Sequence, residues 1–295
     1  MEVSKKMSQR LKGKAAVVTG GGGGIGRSVC LALAAEGAMV VVNDFGTGPD
    51  GTKSADKVVD EIKKAKGIAV ANYDSVATVV NGEIIINTAI NNFGRIDILA
   101  NCAGNFHPVA TVDMTQEVWD SVITVHLGGH FACSRAAARA MIQQKSGGSI
   151  INVSSLAGFP RYDPRGAAYP TAKAGIVGFT LALAYELKQY GIRVNVIFPR
   201  ASTNLFPGTM SGGGGSMPTT ASLKPDDIAP MFVYLGTDAA KDVTSQLFYT
   251  AGGDFSVLVR PVKHRLFVRK MGEWTVDELS AVIPGLGLEE RDSYF

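Results

Sequence analysis

Tyr169 and Lys173, in the stretch "AAYPTAKAG", stand four residues apart at the start of an apolar helical pattern. That spacing puts both side chains on one helix face. A tyrosine hydroxyl titrates near pH ~10 in water, too high for an efficient base near neutrality. An ammonium group beside it, helped by an oxidised nicotinamide, favours the phenolate. The pair can then take a proton from an alcohol or return one to a ketone. Ser155, 14 residues upstream of Tyr169 at the end of an apolar run, can hydrogen-bond the same substrate oxygen. The chemistry these residues suggest is hydride transfer at a secondary alcohol carbon.

A hydride needs a carrier, and the amino-terminal part of the chain supplies a site for one. "TGGGGGIG" (19–26) follows a strand pattern and opens a helix pattern. Gly20, Gly24, Ile25 and Gly26 lie where a tight turn brings backbone N–H groups toward a pyrophosphate. Asp44 ends the second strand pattern, 20 residues after Gly24. An acid there accepts hydrogen bonds from the adenosine ribose and repels a 2′-phosphate, so NAD is the expected cofactor. Arg27 could neutralise a phosphate, but it does not sit where a 2′-phosphate would lie if Asp44 faces the ribose.

The elements that must position these residues follow from the alternation of short aliphatic runs with longer helical patterns. Strands are expected at 15–20, 38–44, 67–73, 96–104, 149–155, 192–199 and 245–253, with helical stretches between them. One long helix is expected across "QEVWDSVITVHLGGHFACSRAAARAMIQQK". Gly37, Gly67, Gly94 and Gly191 read as helix ends. Continuous apolar strands alternating with helices imply a doubly wound (Rossmann) parallel sheet, α/β in class, covered on both faces. A single catalytic domain over 10–255 is expected, with 200–222 as a mobile substrate loop. Residues 256–295 form a C-terminal extension with strand-like stretches "SVLVRPV" and "HRLFVRK" and a capping-box helix start "TVDE".

Composition narrows the class. The 295 residues carry a net charge of +3, with 46% hydrophobic and 19% charged residues. No basic cluster is dense enough for nucleic acid, and no run approaches the ~18 apolar residues of a membrane span. Neither nucleic acid nor membrane is expected as a partner. Cys30, Cys102 and Cys133 form no CxxC pair, so free thiols in a reducing compartment are expected. The amino terminus lacks the apolar core of a secretory signal, and the end "RDSYF" carries no peroxisomal or retention signal, so the expected location is cytoplasmic. His107, His130 and the remote His264 make no metal-binding cluster, and no metal is expected. His107 reads as a loop histidine and His130 as a packing or interface residue. Arg161 and Arg165 read as solvated loop residues, with Arg200 an even candidate for meeting a substrate carboxylate or thioester carbonyl. The helix from Tyr169 is apolar nearly all round, which favours association into a homodimer or homotetramer through it and the 117–144 helix.

With "TGGGGGIG", "NCAG" (101–104), "NVSSLAG" and "YPTAK" in hand, the chain resembles the short-chain dehydrogenase/reductase family over 10–255. "VVVNDFG", "ADKVVDEI", "AVANYDSV", "FGRID" and "VHLGG" make it most similar, within that family, to the (3R)-hydroxyacyl-CoA dehydrogenase units of multifunctional β-oxidation enzymes and their bacterial relatives. The resemblance implies Tyr169 as general acid/base, Lys173 as the residue that lowers its pKa and holds the nicotinamide ribose, and Ser155 rather than Ser154 at the strand-end serine. It also implies Asp74 near the adenine, Asn101, Ala103 and Gly104 along the cofactor, and Pro199 and Thr203 near the nicotinamide. Pro199 is followed by Arg200 where the family has glycine. The implied substrate is a 3-hydroxyacyl-CoA thioester, with a steroid or other alicyclic alcohol as the alternative. A rival of another class is a cofactor-binding partner subunit without chemistry, which intact Ser155, Tyr169 and Lys173 argue against.

His126 stands where the family has a catalytic asparagine. Part of that asparagine's role belongs to its backbone carbonyl, which any residue supplies if the helix is locally distorted, and Gly128 and Gly129 make distortion easy. His126 is therefore expected to tune the relay or its packing. His126→Asn should keep substantial activity in a steady-state assay, and a collapse to the level of Tyr169→Phe would make the imidazole itself essential.

Overall fold

The computed structural model describes residues 9–48, 50–158, 166–203 and 223–258, with Val282. Arg161, Arg165, His264, the 204–222 part of the expected substrate loop and the "HRLFVRK" and "TVDE" stretches lie outside the described residues.

Eight strands form one sheet in the order β3-β2-β1-β4-β5-β6-β7-β8. They are β1 (Ala15–Thr19), β2 (Met39–Asn43), β3 (Ile68–Asn72), β4 (Ile98–Asn101), β5 (Gly148–Val153), β6 (Ile192–Arg200), β7 (Leu247–Ala251) and β8 (Asp254–Val257). All neighbours pair in parallel except β7 and β8, which form an antiparallel hairpin. The expected doubly wound sheet is thus present, and β8 carries it across the boundary expected at 255. Among the described residues, seven α-helices cover the faces: α1 (Gly24–Ala35), α2 (Ser54–Lys64), α3 (Val79–Phe93), α4 (Gln116–Ile123), α5 (Gly129–Gln144), α6 (Ala168–Leu187) and α7 (Ala229–Gly236).

The sheet strands are apolar on both sides because both sides are covered. Val18, Val40 and Val42 pack with Val29, Leu33 and Phe232 on the α1, α2 and α7 side. Val17, Val41 and Leu99 pack with Ile85, Cys133 and Met141 on the α3 and α5 side. Phe198 of β6 is fully buried against Ile176 and Val177 of α6. This contact fixes the height of α6 over the strand ends, and so the height of Tyr169 and Lys173.

Two local readings differ from expectation. Gly94 and Gly191 close their helices in the left-handed region, and Gly37 also has positive φ, but near 67 it is Lys66 that takes the positive φ of 63°. The long helix expected from 117 to 144 is broken: α4 and α5 are joined by a π-helical turn, Thr124–Gly128. Such a turn inserts an extra residue into the helical ladder.

The strand order reverses beside β1, between β1 and β4. At such a switch point the loops after the strands diverge and leave a crevice. The glycine loop after β1 and the Cys102–Gly104 turn after β4 both lie there.

Candidate active site

The glycine loop is held open to a ligand by the lack of side chains. Gly20 has φ of +65°, and a Cβ on it would lie 2.8 Å from Ala103 Cα. A Cβ on Gly26 would strike the Gly20 carbonyl. Strand end, loop and the next strand's turn are therefore in backbone contact. Thr19 reinforces this, its Oγ1 accepting from the N–H groups of Cys102 and Ala103 at 3.1 and 3.2 Å. Gly23 caps α1 without a side chain, leaving the first-turn N–H groups to an anion. Thr203 lies over Gly24, its Cγ2 3.3 Å from where a Cβ would stand. This cradle fits a dinucleotide diphosphate.

Asp44 follows β2 and is fixed beside the loop. Its Oδ2 accepts from Gly22 N–H at 3.0 Å and its Oδ1 from Gly46 N–H at 2.7 Å. Arg27 turns away from the loop to form a bidentate pair with Glu61 of α2, which raises its pKa through the hydrogen bond. Asp74, after β3, receives a hydrogen bond from Asn72 Nδ2 at 2.8 Å. Asn72 Oδ1 in turn accepts from Nδ2 of buried Asn43.

Asn101 ends β4, the strand end expected to line the cofactor. Its side chain is 1% exposed and turns inward, where Nδ2 donates to Ser134 Oγ at 3.0 Å and Asn152 Oδ1 at 2.9 Å. Asn152 continues the chain to Thr180 of α6. A buried amide left without partners is costly, and this ladder meets most of that demand across β4, β5, α5 and α6.

The catalytic pair expected from the sequence comes together at the start of α6. Tyr169 and Lys173 are both nearly buried, and Lys173 Nζ lies 5.5 Å from the Tyr169 ring centroid. Lys173 Nζ donates to the Val153 carbonyl at 2.9 Å. Burial, with no carboxylate beside it among the described residues, pulls the Lys173 amine down to about 7. Of the two serines after β5, Ser154 is buried with its hydroxyl donated to the Lys173 carbonyl at 2.7 Å. Ser155 is partly exposed, and its Oγ accepts from Ala157 N–H at 3.1 Å. Around Tyr169 lie Phe106, Met114, Trp119, Ile123 and Ala157. Phe106 and His126 meet its ring edge-on, at 5.4 and 5.3 Å between centroids.

His126 sits in the middle of the π-turn and is 1% exposed. Its Nε2 lies 2.8 Å from the Asn105 carbonyl, to which it donates. A Cβ on Gly104 would collide with the His126 ring, so the ring packs directly on that backbone. Desolvation, then the Lys173 charge, holds His126 well below the ordinary histidine range. His130, one turn on, is completely interior rather than at a surface; burial pushes it down to about 3. Sequence reasoning missed its contacts, described below, since nothing local marks them. His107 is exposed. Pro199 and Arg200 end β6 and pair with Thr250 and Ala251. By strand alternation Arg200 is on the face of Phe198, the α6 side. No group of three or more metal-ligating side chains occurs among the described residues.

Fold and site together define a dinucleotide-dependent oxidoreductase, and the comparisons specify the family. The family model for short chain dehydrogenases matches residues 14–205, and the chain belongs to the short-chain dehydrogenase family. It is an oxidoreductase that works with NAD(P). It is 44% identical over 252 residues to the peroxisomal hydratase-dehydrogenase-epimerase of Saccharomyces cerevisiae, covering 84% of this chain but 27% of that one. The chain thus spans about a quarter of the length of that multifunctional relative. It is 36% identical over 294 residues to the hydroxyacyl-CoA dehydrogenase ChsB1 of Mycobacterium tuberculosis, covering 92% of this chain and 88% of that one. Among solved structures, a short chain dehydrogenase from Mycobacterium avium superposes with a TM-score of 0.82 at 38% identity, covering 94% and 95% of the two chains.

The two interior histidines set a pH dependence of stability. Both are neutral when folded, whereas a histidine in the unfolded chain titrates near pH ~6.5. Below that pH the unfolded state binds protons that the folded state refuses, so stability falls as pH falls. Each ring should cost stability with a slope that rises toward about 1.4 kcal/mol per pH unit as pH falls from 6.5 to 5. Urea midpoints at pH 7 and pH 5 check this, and a flat profile would contradict burial of the two neutral rings.

Proposed function

We propose that this chain is an NAD-dependent dehydrogenase/reductase of 3-hydroxyacyl-CoA thioesters. The observation that carries the reading is the Tyr169–Lys173 pair within an apolar cluster, in a chain similar over most of its length to a hydroxyacyl-CoA dehydrogenase. A β-oxidation role fits this substrate class and the similarity to the multifunctional enzyme.

In the oxidative direction Tyr169 accepts the substrate hydroxyl proton as the carbonyl forms, and in reduction it returns it. Lys173 stabilises the phenolate by its charge. Ser155 donates a hydrogen bond to the substrate oxygen, and Phe106, Met114 and Trp119 cover the apolar chain. When bound, the nicotinamide supplies the hydride acceptor or donor. Gly20, Gly24, Ile25, Gly26 and Thr203 would hold the diphosphate, Asp44 the adenosine ribose, Asp74 the adenine, and Ala103, Gly104, Pro199 and Lys173 the nicotinamide half. His126 supports Tyr169 by packing and by fixing Asn105, with Asn101 acting through the strand end it stiffens.

Asp44 favours NAD over NADP: a carboxylate fixed beside the glycine loop repels a 2′-phosphate. Arg27 is engaged by Glu61, away from any such phosphate. The domain reading extends the catalytic unit over 10–255, with 200–222 as the substrate loop and 256–295 as an extension. Association into a homodimer or homotetramer is supported by α6, whose Gly178, Ala182 and Tyr185 are exposed on one face. Free cysteines fit a reducing, cytoplasmic setting. No helix among the described residues is long and apolar enough to cross a membrane.

NADH formation with a panel of 3-hydroxyacyl-CoA thioesters and alicyclic alcohols tests the substrate. Thioesters should give the highest kcat/KM, with Tyr169→Phe lower by at least about 10²-fold. Better turnover of the alicyclic alcohols would replace the thioester reading. NAD binding without turnover of any substrate would favour the partner subunit. Asp44→Ala should move the NAD/NADP preference toward NADP by about tenfold, or about 1.4 kcal/mol, and an NADP preference in the parent would overturn the cofactor assignment.

A further inference from the structure

Lys173 rests on a single backbone carbonyl, that of Val153, and what holds Val153 therefore holds the amine. Val153 is the last residue of β5. The N–H after it, of Ser154, is taken by the Ile197 carbonyl at 2.8 Å. Its own N–H, which the β4–β5 pairing turns toward the Asn101 carbonyl, also lies 3.3 Å from His130 Nε2. The other nitrogen of the same ring, Nδ1, lies 2.6 Å from the His126 carbonyl within the π-turn. A carbonyl can only accept, so Nδ1 carries the proton and Nε2 presents its lone pair to Val153. Both ring nitrogens are thereby used in matching senses, and the ring is 2% exposed.

We propose that His130 is a positioning residue for the reaction: its neutral ring spans from the π-turn to the end of β5 and fixes the Val153 seat of Lys173. This rests on the reading of Tyr169 and Lys173 as the proton-transfer pair. The geometry makes the two bonds unequal. The bond to His126 aims the ring, while the bond to Val153 transmits its position to Lys173. Ionisable groups facing the ring are Lys173 from α6 and His126 from the π-turn. Both the amine and the neutral imidazole tolerate a neutral His130, whereas a charged ring would repel the amine.

Three substitutions separate the bonds. His130→Gln can still accept from Val153 at the Nε2 position, His130→Asn can still donate to His126 at the Nδ1 position, and His130→Phe can do neither. At saturating dinucleotide and substrate, kcat should fall at least about tenfold in His130→Asn and His130→Phe, as a small misplacement of a catalytic group does. In His130→Gln it should stay within about threefold. A purely structural role would lower the thermal midpoint of all three and leave kcat of the folded fraction unchanged; that result overturns the proposal. Lys173→Met is measured alongside. If it keeps activity, the Tyr169–Lys173 reading fails; if it loses activity while the His130 variants do not, only the His130 inference fails. For the parent protein, ¹⁵N NMR of the histidine rings should show His130 neutral with its proton on Nδ1 at pH 7. A proton on Nε2 would remove the lone pair that faces Val153 and overturn the proposal even if the variants do not fold.

Discussion

An amine almost removed from water, with no carboxylate beside it among the described residues, is the constraint around which the catalytic end of this protein is organised. Burying a lysine without an acidic partner costs free energy, and the usual relief is loss of the proton. A pKa of about 7 leaves Lys173 poised between the two states. Adding an acid would stabilise the charge but would also hold it away from the tyrosine. The fold instead surrounds Lys173 with uncharged donors and acceptors: the Val153 carbonyl at its head, the Ser154 hydroxyl on its own backbone, and two neutral imidazoles nearby.

Those neutral groups need rigid support, and the sheet provides it from below. Ser134, Asn101, Asn152 and Thr180 form a buried polar ladder that joins α5, β4, β5 and α6. It lies just beneath the strand ends, so the side chains above it inherit fixed positions. On the cofactor side, Thr19 does the same for the Cys102–Ala103 turn, and Asp44 is locked by two backbone N–H groups before any ligand arrives. Preorganised dipoles of this kind need not reorient during reaction.

The strands, the glycine loop, Asp44 and the Tyr169–Lys173 pair were legible in the sequence because each is encoded over a few residues. Alternating apolar runs fix strands, and a four-residue spacing fixes a shared helix face. The preference for Ser155 over Ser154 came from the family resemblance rather than from the residues alone. The interior contacts were not legible in that way. The motif put Asn101 at a strand end beside the cofactor, but its partners Ser134 and Asn152 come from distant stretches that no local pattern names. The break between α4 and α5 was foreshadowed by Gly128 and Gly129, yet the glycines do not say what meets the carbonyls of the turn between them. His130 lay in an apolar helix pattern without a signal, because its role arises only where that helix crosses the end of β5. Local chemistry is written locally; the positions of neutral side chains around a buried charge are written in packing.

The contact between Gly104 and His126 carries a consequence for how such a sequence can change. The imidazole occupies the volume that any side chain at 104 would need, so the two positions act as one unit of shape. A chain with a smaller residue at 126 could admit alanine at 104, whereas a chain that has acquired histidine there has closed that route. The histidine thus acts as a ratchet on the neighbouring turn: once the ring is seated, the glycine cannot be lost first, and the order of substitutions becomes one-way.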